Sequence, residues 1–182
     1  MKYFWIPILL LFIACKKQGA DNTVNSKKIY FDLTKVVQND IYNNQTHQIS
    51  ETKNITINGK HETKIIDTVD WKNELTILND CDINKPDWAG KYTVLQFKDK
   101  HQVCYTANAS KLPVQKITVQ FKPNDSIPER IEIEKKIGNF LFSNEQHIIY
   151  FPQQYYKVNA SQRAVFMQDF NSQVEVIFNH KP

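Results

Sequence analysis

The stretch that decides the fold spans residues 114–135 and reads VQKITVQFKPNDSIPERIEIEK. Ile117 and Val119 in its first half, and Ile131 and Ile133 in its second half, alternate with polar residues. Such alternation is typical of a strand that buries one face and exposes the other. The letters KPND between the halves favour a turn. The stretch therefore predicts two antiparallel strands. The charged side chains predicted on the opposite face are Lys116, Glu132 and Glu134.

The same strand pattern continues on both sides of this stretch. Five further runs combine alternating apolar residues with β-branched or aromatic ones, and they cover residues 92–97, 102–106, 140–151, 156–166 and 174–178. The breaks between the strands are short, and most contain residues that favour turns,. Seven strands joined by such connections predict an antiparallel meander with one buried face.

A hairpin is predicted in the N-terminal half of the chain. Asn58-Gly59 separates two strand-like runs, residues 53–57 and 60–66. This dipeptide favours a type I′ turn, because both central residues of that turn need a positive φ.

Two helices are predicted on either side of this hairpin, each behind an aspartate that can accept hydrogen bonds from free backbone N–H groups. Asp32 precedes the first helix and Asp70 the second. The first helix either frays beyond Asn43 or continues to about Glu51. Apolar residues at helical spacing define the two stripes. They are Leu33, Val36, Val37 and Ile41 in the first helix, and Trp71, Leu75 and Leu78 in the second.

These elements predict one α+β domain over residues 29–182, built on an antiparallel meander. Either the helices cover the apolar face of the sheet, or the sheet curls on itself into a half-barrel. A curled sheet would be similar to the half-barrel of periplasmic lipoprotein carriers. Alternatively it would be similar to the lipocalin barrel, whose first strand has a Gly/Trp pattern that residues 88–92, WAGKY, loosely share.

The N-terminus carries the clearest localisation signal. Lys2 precedes an apolar run over residues 3–14, and Cys15 follows it directly. This run is shorter than the roughly 20 residues that a membrane-spanning helix needs, and its layout is that of a secretory signal. The sequence Phe12-Ile-Ala-Cys15 resembles the lipobox of bacterial lipoproteins, in which a small residue precedes the lipidated cysteine. An ordinary signal peptide or an N-terminal anchor, with an incidental cysteine, is the alternative.

The resemblance implies a membrane partner. Residues 1–14 would be removed as a signal peptide, and Cys15 would carry the acyl chains that anchor the protein. Residues 15–28 are polar and predict a flexible tether. Lys16 and Lys17 are not the aspartate that retains some lipoproteins at the inner membrane, so outer-membrane placement in a Gram-negative envelope is favoured.

Composition and motifs indicate a role without catalysis. The formal net charge of +4 is weak and the lysines are scattered, which argues against a nucleic-acid partner,. The four glycines form no phosphate-binding loop, and the five histidines show no metal-ligand spacing,. Glu132 and Glu134 are two residues apart on one strand face, where solvated carboxylates are the more common explanation. We therefore expect no cofactor, no metal and no catalytic residues.

Cys81 and Cys104 remain once Cys15 is lipidated. An even number of cysteines in an oxidising compartment suggests a disulfide. However, Cys104 alternates with Val103 and Tyr105 and points to the polar face, whereas Cys81 follows the second helix. Two free thiols are therefore the alternative.

Two functional hypotheses follow. The first is an interaction module that holds an envelope protein or another envelope component through a sheet edge or the polar face. The second is a carrier for a small apolar ligand inside a curved sheet. An apolar cavity between sheet and helices would favour the carrier. An enzyme would need His101 or His147 within hydrogen-bond reach of a carboxylate in a cleft.

Overall fold

A computed structural model describes residues 28–123, 125–165 and 168–180. The helices are α1 (Leu33–Thr46), α2 (Trp71–Glu74) and α3 (Thr76–Asn79), and short 3₁₀ helices lie at Pro86–Trp88 and Lys98–Lys100. The strands are β1 (Ser50–Ile57), β2 (Lys60–Ile66), β3 (Tyr92–Phe97), β4 (Gln102–Ala107), β5 (Val114–Phe121), β6 (Pro128–Gly138), β7 (Phe142–Phe151), β8 (Tyr155–Ala164) and β9 (Phe170–Asn179).

All of these strands belong to one antiparallel sheet, with the order β2-β1-β9-β8-β7-β6-β5-β4-β3. The seven-strand meander is confirmed, because β3 to β9 are neighbours in chain order. The sheet is not closed into a barrel. The predicted α+β class is therefore confirmed, and helices cover the apolar face of an open sheet.

The predicted hairpin is also confirmed, and it extends the meander. Asn58 and Gly59 have φ values of 46° and 84°, as a type I′ turn requires,. The hairpin does not stand apart from the rest of the sheet. Strand β1 pairs with β9, from Ser50 opposite Asn179 to Ile57 opposite Ser172.

Both helical regions begin where the sequence predicts. Asp32 accepts a hydrogen bond from the Lys35 N–H, and Asp70 accepts one from the Asn73 N–H. Helix α1 ends at Thr46 and does not continue to Glu51. The second predicted helix is interrupted at Leu75, which separates α2 from α3.

The core lies between these helices and one face of the sheet. Its sheet side consists of alternate strand residues, including Ile117, Ile131, Ile148 and Val176, all of which are at most 1% exposed. Its helix side includes Leu33, Val37, Trp71, Leu75 and Leu78, which are equally buried.

The proposed signal peptide, Cys15 and nearly all of the tether lie outside the described residues. Among the helices that the structure describes, none combines the length and the apolar character that crossing a bilayer requires.

Candidate functional site

The candidate site lies on the face of the sheet opposite to the helices, called the outer face below. Successive strand residues point to opposite faces. Because Ile131 and Ile133 are buried under the helices, Glu132 and Glu134 lie on the outer face, as predicted. The outer face is polar over most of its extent.

A trough of about 610 Å³ crosses this face at the end of the sheet where β6 finishes. Its floor contains a row of paired residues, one from each of five neighbouring strands, since each residue is the register partner of the next. The row is Thr56, Gln173, Asn159, His147 and Glu134. Ser161 and Asn171 add a hydroxyl and an amide beside it. The lining therefore presents many groups that donate and accept hydrogen bonds.

The charges around the trough compensate one another. Glu134, Glu145 and Lys136 present their side chains to it, whereas the side chain of Lys135 points to the helix side, as those of Ile131 and Ile133 do. Lys136 Nζ lies 2.7 Å from Glu145 Oε1, and Lys116 Nζ lies 3.4 Å from Glu134 Oε1. A ligand with a large net charge would find little net attraction here, so the lining favours a polar ligand that is close to neutral.

His147 approaches a carboxylate without forming a catalytic hydrogen bond. Its Nε2 atom lies 3.7 Å from Glu132 Oε2, beyond hydrogen-bond distance,. Glu132 also forms an ion pair with Arg130. The side chain of His147 is 43% exposed, on an open face rather than in an enclosed cleft.

An aromatic pair lies on the same face, towards the other end of the strands. The rings of Phe151 and Tyr155 stack with centroids 4.8 Å apart and planes inclined by 21°. The Arg130 guanidinium lies 5.9 Å from the centre of the Phe151 ring. The stack depends on cross-strand pairing of Phe151 with Tyr155, which only the structure shows.

The two cysteines are free thiols, and the structure does not bring them together. Cys81 is buried in the core on the helix side, and its Sγ donates to the Ile77 carbonyl oxygen. Burial raises the pKa of the Cys81 thiol to about 11. Cys104 lies on the other side of the sheet, with its Sγ near the hydroxyls of Thr106 and Thr118. The free-thiol alternative is the one that this geometry matches.

The other histidines lie apart on the surface. The remaining four are His47, His61, His101 and His180, and all are exposed. Within the described ranges, no group of three or more potential ligands could hold a metal ion.

Two buried polar clusters join the helices to the sheet, and the sequence did not indicate either. In the first, the Asp40 carboxylate accepts hydrogen bonds from the Tyr150 hydroxyl and the Gln153 N–H, each at 2.6 Å. Burial raises the pKa of Asp40, although both hydrogen bonds oppose this shift. Burial also raises the pKa of Tyr150.

The second cluster surrounds Lys53, whose Nζ lies 2.7 Å from Glu74 Oε2 and 3.2 Å from Glu51 Oε1. The Tyr156 hydroxyl donates to Glu74. Burial raises the pKa of Glu51, and the negative charge of Glu74 adds to the shift, whereas Lys53 opposes it. Helices pack over both clusters, so their role is to hold the helices on the sheet.

Neither the trough nor two smaller cavities resembles the apolar chamber that a carrier would need. A cavity of about 100 Å³ lies among residues 28–30 and 84–89, and one of about 230 Å³ lies beside the loop between β6 and β7. None of these three cavities separates the helices from the sheet.

Comparison with known proteins leaves this geometry as the guide to function. No family model matches the chain, and neither a curated protein nor a solved structure matches it.

Proposed function

We propose that this chain is a lipid-anchored cell-envelope protein that binds a polar envelope component on its outer face, without catalysing a reaction. The observation that carries the proposal is the trough of about 610 Å³, whose floor is a row of hydrogen-bonding side chains from five strands. A site of this volume is in the range of small-molecule sites, and its polar groups are suited to fix a ligand's orientation.

The chemistry of the lining favours a carbohydrate. Asn159, Gln173 and Asn171 carry amides, which donate and accept at once, as sugar hydroxyls do,. Outside the trough, towards the other end of the same strands, the stacked Phe151 and Tyr155 rings offer an apolar surface against which a sugar ring can pack,. The compensated charges do not favour nucleic acid or another strongly charged partner.

The location of such a ligand agrees with the N-terminal signal. A lipid on Cys15 would anchor the domain, with outer-membrane placement favoured, and hold it near the glycan of the envelope. No cofactor is needed for this role. The lipid would contact the membrane and the outer face would contact the glycan, so the protein would link these two layers of the envelope.

The test is co-sedimentation of the mature lipoprotein, in mild detergent, with purified peptidoglycan sacculi. The variant Asn159→Leu/Gln173→Leu removes two amides from the trough, and we expect it to lower the bound fraction at least tenfold. The matched control is Thr106→Val, which changes an exposed outer-face residue that does not line the trough. It should bind as the parent does. Parent protein that stays in the supernatant, or equal sedimentation of all three proteins, would contradict the proposal.

The carrier alternative predicts a different result in a second assay. A carrier should bind a fluorescent fatty acid in saturable one-to-one fashion, and substitutions in the polar trough should not weaken that binding. We expect no saturable binding, because the core side chains between helices and sheet are tightly buried.

A further inference from the structure

One end of the sheet carries a cluster of exposed apolar side chains, called the apolar tip below. It consists of Ile137, Phe140, Leu141, Phe142 and Val165, with exposed fractions from 38% to 88%. Phe140 has the highest of these values. Exposed apolar groups of this size usually mark a surface that meets another molecule or a membrane.

Hydrogen bonds hold the loop of the apolar tip in shape. The Asn139 side-chain oxygen accepts from the Leu141 N–H at 2.9 Å and from the Phe142 N–H at 3.1 Å. The Asn139 N–H donates to the Phe142 carbonyl at 2.7 Å, and the Val165 N–H donates to the Leu141 carbonyl at 3.1 Å. The loop therefore presents Phe140 and Leu141 outward from a closed network, and ordering them on a partner costs little additional entropy.

The described chain enters the domain at this same end of the sheet. Tyr30 packs edge-on against Tyr92, with ring centroids 5.5 Å apart, and its hydroxyl accepts from the Tyr92 N–H. Tyr92 is the first residue of β3. In an antiparallel meander the start of β3 lies at the end where β6 finishes, which is where the apolar tip follows Gly138.

The length of the preceding chain limits its distance from Cys15. Thirteen Cα-to-Cα steps, through twelve intervening residues, connect Cys15 to the first described position, Lys28. Fully extended, they span at most about 45 Å. A lipid on Cys15 would hold the domain this close to a bilayer, with the apolar tip on the side where the tether enters. A tether of this length raises the effective concentration of the apolar tip at the membrane surface.

We propose that the apolar tip inserts into the headgroup region of the bilayer that holds the Cys15 lipid, so that the domain has two points of membrane contact. This inference rests on the lipid anchor of the proposed function. Exposed lysines at the same end, Lys60, Lys91 and Lys111, suit anionic headgroups, and none of them forms an ion pair within the described ranges. The trough opens beside the tip, on the outer face.

The test uses the full acylated protein in liposomes that contain lipids brominated on their acyl chains, which quench nearby tryptophan. Phe140→Trp places the probe at the apolar tip. The matched control is Ile127→Trp, at an exposed apolar position in the turn between β5 and β6, which is the opposite end of the sheet. The fluorescence of the parent protein is subtracted, because it reports the native tryptophans. The brominated lipids should then reduce the fluorescence of the probe at residue 140 at least twofold and leave that of the probe at residue 127 unchanged.

The controls separate this inference from the anchor itself. Intact-mass analysis reports acylation of Cys15, so unacylated protein contradicts the anchor and this proposal together. Acylated protein with an unquenched probe at residue 140 contradicts the membrane tip alone. A second copy of the protein could cover the apolar tip instead of the membrane, and chemical cross-linking in the same liposomes tests this. A dimer that is cross-linked through residue 140 would overturn the proposal.

Discussion

At the residue scale, Asp40 connects helix α1 to the turn after β7. The residue is 1% exposed, and its carboxylate is held by the Tyr150 hydroxyl and the Gln153 N–H. A buried carboxylate without such donors would be strongly destabilising, so the hydrogen bonds determine whether the helix can dock.

Tyr150→Phe should therefore destabilise the fold. The substitution removes one donor and leaves the buried Asp40 carboxylate with the Gln153 N–H alone. We expect the free energy of unfolding to fall by about 2 kcal/mol, in the range for a buried group that loses a partner. Urea denaturation measures it. Tyr155→Phe is the control on the neighbouring strand, with an expected change of less than about 0.5 kcal/mol. Equal losses in the two variants would argue against a special role for the Asp40 contact.

Glu51 gives the fold a pH dependence of a definite sign. Burial raises its pKa, so the folded protein binds a proton more tightly than the unfolded chain does. Stability from this group is fully present below the ordinary carboxylate pKa, and it is lost as the pH rises through the raised value. Asp40, whose pKa burial also raises, contributes in the same direction.

We expect Glu51→Gln to reduce this pH dependence. The variant has no carboxylate to ionise at this position, and Lys53 keeps its 2.7 Å partner in Glu74. Relative to the parent, the variant should gain about 1 kcal/mol between pH 5 and pH 8, since it avoids a buried charge. Urea denaturation at the two pH values provides the comparison. Parallel changes in the two proteins would show that Glu51 does not titrate with folding.

Residues that follow a local pattern were predictable, whereas the polar residues of the core were not. Alternation identified Ile117 and Ile131 as buried from their neighbours alone. Glu51 is equally buried, yet an acidic residue at the edge of a polar run suggests solvent exposure. Its burial depends on Glu74 and Lys53, which reach it through tertiary packing.

At the scale of elements, helix starts and the hairpin were predictable because their determinants are local. Asp32, Asp70 and Asn58-Gly59 each act within three or four residues. The end of α1 was not predictable in the same way. Gln48 adopts a φ of 49°, and the Ile49 N–H donates to the Asn44 carbonyl, which turns the chain into β1. A glutamine is not a strong signal for that conformation.

The two edge strands of the sheet differ in how they are protected. Strand β2 carries Lys60, Glu62 and Lys64, and charged edges discourage pairing with another chain,. Strand β3 reads YTVLQF, has no charge, and exposes Val94 and Leu95. An interaction through a sheet edge would therefore use β3.

At the apolar tip, the backbone of β7 approaches position 138 so closely that only a glycine fits there. A Cβ at this position would fall on the Phe142 carbonyl oxygen and 2.9 Å from the Ser143 Cα atom. Both are backbone atoms, so the loop would have to move. We expect Gly138→Ala to lower the free energy of unfolding by about 1–3 kcal/mol, as overpacking does. Thermal or urea unfolding measures the change. Ser143→Ala, which adds no bulk at this contact, should stay near the parent, and an unchanged Gly138→Ala variant would show that the loop shifts freely.

At the scale of the whole molecule, the candidate site could not be predicted, although the fold class could. The meander follows from a repeated local pattern. The trough depends on register, because Thr56, Gln173 and Asn159 come from distant parts of the chain and meet only when their strands align. A single-residue slip would move each side chain to the other face.

The lipid anchor is also tested at this scale. Cys15→Ser removes the thiol that the acyl chain would occupy, so we expect the protein to move from the membrane fraction to the soluble fraction of the envelope. Fractionation followed by immunoblotting measures the shift. A serine variant that remains with the membrane would show that another segment provides the anchor.

Pairing of β1 with the last strand has a consequence for the time at which the protein can fold. The Asn179 side-chain amide donates to the Ser50 hydroxyl across a sequence separation of 129 residues. Contacts of such long range slow folding. The N-terminal hairpin finds its neighbour only after β9 has emerged from the ribosome. Until then the sheet is incomplete on one side.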